Sequence, residues 1–130
     1  MSLLTSNAIR TVLLHDSVSG CEHPVHRLLE GIGHEVEPAT VGQLDHALES
    51  DRAELVVVDL EGSADEADVA RRIASLPADR RPKHVAFLTD TPDLARALPA
   101  SGPHFHVFVR PLHMYGLVNV IKRIHQQHVA

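Results

Sequence analysis

Short apolar runs alternate with stretches whose apolar residues recur every three to four positions, and the alternation repeats five times along the chain. Thr11 to Leu14 is the first strand candidate. A helix follows with Pro24 in its first turn, Val25, Leu28, Leu29 and Ile32 spaced to share one face, and Gly33 placed to stop it. A weaker strand covers Glu35 to Pro38. Thr40 with Gln43 three residues on forms a capping box for a second helix, whose stripe is Val41, Leu44 and Leu48. The β-branched run Leu55-Val56-Val57-Val58 ends at Asp59 and is the clearest strand. Ser63 with Glu66 makes a second capping box ahead of Val69, Ala70, Ile73, Ala74 and Leu76, and Pro77 ends that helix. Val85 to Leu88 is the fourth strand, and Pro92 opens a short helix through Leu98. In the fifth strand Phe105, Val107 and Val109 alternate with His104, His106 and Phe108, and Leu117, Val118, Ile121 and Ile124 stripe the last helix.

Strands covered by helices on both faces read as unbroken apolar runs, whereas edge strands tolerate polar positions. The first, third and fourth strands therefore read as central. The second, with glutamates around Val36, and the fifth, with its histidines, read as edges. Right-handed crossovers then give a parallel sheet of order 2-1-3-4-5, an α/β, flavodoxin-like (βα)5 three-layer sandwich. A chain of 130 residues suits one domain, with a core over about 9–126.

Composition narrows the function. Hydrophobic residues at 44% and charged residues at 22% describe a packed globular chain, and a net charge of −5 repels polyanions, so no nucleic-acid partner is expected. No apolar run approaches a membrane span and no signal segment opens the chain, so a cytoplasmic location without membrane attachment is expected. Cys21 is the only cysteine, which excludes an internal disulfide.

In open parallel sheets the functional crevice lies beyond the carboxyl ends of the strands. His15 and Asp16 follow the first strand, Asp59 the third, Thr89 and Asp90 the fourth, and Arg110 and Pro111 the fifth. Ordinary strand-end polarity explains any one of these residues, and explains the whole set less well. The set, quoted as "TVLLHD", "ELVVVDL", "HVAFLTD" and "HVFVRP", resembles the receiver domain of bacterial two-component response regulators, and the resemblance runs from Thr11 to Ile124. It implies Asp59 as phosphoacceptor, Thr89 as the hydroxyl that meets a phosphoryl oxygen, and Arg110 in the place of the family's lysine. It also implies a Mg2+ ion held by Asp16, Asp59 and the backbone carbonyl of Glu61. A sensor histidine kinase or another signalling protein is the implied partner, and the chain is not expected to be a turnover enzyme.

Departures from the family pattern gather around the same crevice. His15 stands where the family has its first acid, and an imidazole is a poorer magnesium ligand than a carboxylate, which weakens Mg2+ binding. Arg110 either clamps phosphate with its planar fork or locks onto Asp59 or Asp16. Asp90 adds bulk and charge beside Thr89, and Val107 replaces the aromatic switch residue. Two readings follow: phosphorylation on Asp59, or a phosphorylation-independent pseudo-receiver. A flavodoxin-like small-ligand-binding domain or enzyme using the same crevice is the alternative, although "HDSVSGCEHP" lacks a Gly-rich phosphate cradle. His104 with His106 and His23 with His26 are two-ligand fragments, read as surface histidines rather than a zinc site. The stripe from Met114 to Ile124 reads as core, and with the fifth strand it is the candidate face for a homodimer.

Overall fold

The computed structural model describes residues 9–15, 24–48, 53–60, 66–91, 93–100, 102–109 and 114–129. Among them, five parallel strands form one sheet of order β2-β1-β3-β4-β5, with strands β1 (Ile9–His15), β2 (His34–Ala39), β3 (Leu55–Asp59), β4 (His84–Thr89) and β5 (His104–Val109). The helices are α1 (Pro24–Gly31), α2 (Leu44–Ala47), α3 (Glu66–Ala74), α4 (Leu94–Ala97) and α5 (Met114–Val129), with a 3-10 turn at Val41–Gln43 leading into α2. The expected strand order and α/β class are the ones found.

Strand alternation divides the apolar side chains into two cores. Val12, Leu14, Val56, Val58, Val85 and Phe87 pack with Leu44 of α2, Val69, Ala70 and Ile73 of α3 and Leu94 of α4. Ile9, Leu13, Leu55, Val57, Ala86 and Leu88 pack with Val25 and Leu29 of α1 and with Leu117, Ile121 and Ile124 of α5. Those two faces make the three layers. The Leu117, Ile121 and Ile124 stripe is therefore core, as its spacing predicted.

Polar groups at the β2 edge are tied inward. Thr11 Oγ1 and His34 Nδ1 lie 2.8 Å apart in a buried hydrogen bond, and the Arg10 guanidinium donates to both Glu37 Oε1 and the Ala47 carbonyl at 2.8 Å. These bonds explain how a strand with two glutamates stays on the sheet.

The helices differ from expectation mainly in length. Thr40 donates its N–H to Gln43 Oε1 at 3.0 Å, as a capping box requires, but the first turn is 3-10 and α2 runs only four residues. α4 stops because Leu98 is extended (φ −81°, ψ 148°), the conformation forced on a residue that precedes a proline, here Pro99. β1 runs further than its apolar centre at both ends and takes in Arg10 and His15. No helix among the described residues is long and apolar enough to cross a membrane.

Candidate functional site

The carboxyl ends of β1, β3 and β4 form one rim. His15 ends β1 and lies opposite Asp59, the last residue of β3, in the parallel register. Val58 lies opposite Phe87, so Thr89, which ends β4, stands one step beyond the level of Asp59. The sheet therefore brings His15, Asp59 and Thr89 to neighbouring strand ends, as their positions after apolar runs predicted. All three are buried, with exposures of 5%, 7% and 0%. Asp90 is exposed. Asp16, Glu61, Arg110 and Pro111 lie outside the described residues, as do Ser63, Cys21 and His23.

Thr89 has a defined hydrogen-bond pattern. Its hydroxyl donates to Glu66 Oε1 at 2.7 Å and accepts the Thr91 N–H at 3.0 Å. The carboxylate acceptor makes the first of these a charge-assisted bond, stronger than a neutral one. Glu66 is the first residue of α3, so the bond fixes the start of that helix to the end of β4. In the sequence Glu66 reads only as the glutamate of a capping box. Its second role is hidden there because the pairing spans 23 residues and depends on the first turn of α3 lying at the carboxyl end of β4. A Glu in the first helical turn after the third strand is the available signal.

The rim fits a magnesium ion poorly on its described donors. Magnesium takes hard oxygen ligands in near-octahedral array. Asp59 offers a carboxylate, but its neighbour on β1 is the imidazole of His15, and among the described residues no group of three His, Cys, Asp or Glu side chains could hold a metal. Val107 is half-buried and packs against the core that includes Phe87 and Leu94.

The fold is similar to that of the chemotaxis response regulator CheY4 of Vibrio cholerae, with a TM-score of 0.69 over 90% of this chain and 98% of that one, at 20% sequence identity. At that identity the likeness establishes the receiver-type, flavodoxin-like fold. No protein-family model and no curated protein matches the sequence.

Proposed function

We propose that this chain is a one-domain receiver-type signalling module that works by binding a sensor histidine kinase or another signalling protein, with its Asp59 rim held in one state without phosphorylation. The observation that carries this reading is the Thr89–Glu66 hydrogen bond. In a phosphorelay receiver the hydroxyl at this strand end meets the phosphoryl oxygen, so a phosphoryl group on Asp59 must compete here with a charged acceptor already 2.7 Å from the hydroxyl. His15 in the place of an acid points the same way, since it removes an oxygen ligand from beside Asp59. The module turns over no substrate and acts in the cytoplasm. Its binding face is the one formed by α4, β5 and α5, through which a second copy also docks.

Phosphorylation is the second reading, and the buried carboxylate of Asp59 on the same rim as Thr89 favours it. In that chemistry an Asp59 oxygen attacks the phosphorus of a phosphohistidine, the P–N bond breaks as the P–O bond forms, and the departing imidazole takes up a proton. Thr89 then exchanges Glu66 for a phosphoryl oxygen. Incubation with phosphoramidate and Mg2+ followed by intact-mass spectrometry separates the two. The expected result is an unmodified chain. A single phosphoryl addition that disappears in Asp59→Asn would replace the first reading with the second.

A further inference from the structure

At the end of the sheet opposite Asp59, the amino ends of β4 and β5 border a cleft of about 590 Å³. Its charged wall consists of Arg81 and Lys83 from the segment entering β4 and Arg123 from α5, and its floor carries His84, His104 and His106. The register brings the histidines together, since His84 lies opposite His104 and Ala86 opposite His106. His84 Nδ1 and His106 Nε2 approach to 3.2 Å, so one ring donates and the other accepts, and the His84 ring centre is 5.4 Å from each of the other two. The edge-strand reading of His104 and His106 as surface histidines is thus corrected for His106, which is half-buried against His84.

No Asp or Glu lines the cleft among the described residues, although acids outnumber bases by five in the chain as a whole. The nearest compensation is Glu54, whose Oε2 lies 3.5 Å from Lys83 Nζ. Arg81 is steadied by a 3.2 Å bond from Nη1 to the Ala74 carbonyl. Burial first, and then the neighbouring imidazoles, hold His84 down at about 4, and His106 is lowered by burial, His104 and Arg123. At neutral pH the His84 and His106 rings are therefore neutral, and with one N–H spent on the bond between them the pair offers one further N–H and flat faces, while Arg81, Lys83 and Arg123 supply the charge.

We propose that this cleft binds a phosphate-bearing small molecule with at least two negative charges. Guanidinium forks pair with phosphate oxygens two at a time, lysine adds a point charge, and the imidazole N–H left over from the His84–His106 bond donates to a remaining oxygen. The volume lies within the roughly 300–1,000 Å³ typical of small-ligand sites. A metal is the poorer occupant, because only two imidazole nitrogens approach each other and no three-donor group exists among the described residues.

The test is a titration of the full chain with inorganic pyrophosphate at neutral pH, read on the histidine ring resonances by NMR, with sulfate at matched ionic strength in parallel. Saturable shifts on His84, His104 and His106 are expected, with sulfate much weaker. Arg123 is exposed, so Arg123→Glu is expected to keep the folded spectrum, and by removing a charged contact and adding a repelling carboxylate it should weaken pyrophosphate by about tenfold or more. Absence of saturation at millimolar pyrophosphate, equal binding of sulfate, an unaltered affinity in Arg123→Glu, or shifts confined to His15 at the opposite rim would each overturn the assignment.

Discussion

The hydroxyl of Thr89 donates to Oε1 of Glu66 at 2.7 Å, joining the carboxyl end of β4 to the first turn of α3. Because Thr89 is fully buried and also accepts the Thr91 N–H, replacing it by the isosteric valine strands one acceptor and one donor at once. Thr89→Val is expected to cost about 2 kcal/mol, the usual penalty for unmade buried bonds that include a charged group. Glu66→Gln keeps an acceptor and should cost less. The double variant should lose less than the two single losses combined, since neither group is then left facing a missing charged partner. Urea midpoints with unchanged slopes measure all three; strict additivity would show that the bond contributes no coupling.

His15 faces Asp59 across the β1–β3 register, and both are buried. His15→Asp would set two carboxylates on opposed positions of neighbouring strands, where like charges repel. At neutral pH without divalent ions that variant should be destabilised by about 1–2 kcal/mol. Millimolar Mg2+ should recover much of the loss, because the change supplies a second hard oxygen donor and binding to the native state raises its stability. Thermal melts with and without Mg2+ check this. The wild type should respond weakly, and an equal Mg2+ response in both proteins would show that the imidazole is not what limits the site.

The sheet is legible in the sequence where burial is continuous. Leu55 to Asp59 reads residue for residue because both faces of β3 are covered, and the order of the strands follows from the same contrast between buried runs and polar edges. Polar residues hide the rest. Arg10 and His15 mask the ends of β1, although each is held there by tertiary partners that a one-dimensional pattern does not carry. Of the candidate site, Asp59 and Thr89 stand out as polar residues ending apolar runs, whereas Glu66 looks like a cap and His84 like the polar start of a strand. Their partners, Thr89 and His106, are 23 and 22 residues away and are chosen by where α3 starts beside the end of β4 and by the register of β5 on β4.

Two glycines with positive φ offer a controlled comparison. Gly33, at 95°, has no atom within 4 Å of the point an added Cβ would occupy, so Gly33→Ala should cost only the left-handed backbone penalty, about 1 kcal/mol. Gly102, at 109°, would place its new Cβ 3.2 Å from Ala74 Cβ, so Gly102→Ala should cost about 2 kcal/mol or more by adding a steric conflict to that penalty. Chemical denaturation ranks the two. Equal losses would mean that α3 yields at Ala74 without cost.

The clustered imidazoles make stability depend on pH in a specific window. His84 is held at about 4 instead of 6.5, by burial first, then by His106 and His104 from β5, with Lys83 adding to the effect and Glu54 opposing it. His106 is lowered as well, by burial, His104 and Arg123 of α5. As pH falls through 6.5 the unfolded chain takes up protons that the native chain refuses until about 4. The stability from the neutral His84 ring is therefore complete above 6.5 and is lost progressively between the two values. Both rings are partly solvated, so screening holds the loss from His84 to about 1–2 kcal/mol. His84→Gln removes the titrating group, so its stability should fall less steeply across the same window. Carboxylates that titrate near the lower end act on both proteins alike and cancel in the difference. Urea unfolding at pH steps through the window gives that difference directly, and parallel curves for the two proteins would show that His84 titrates normally in the folded chain.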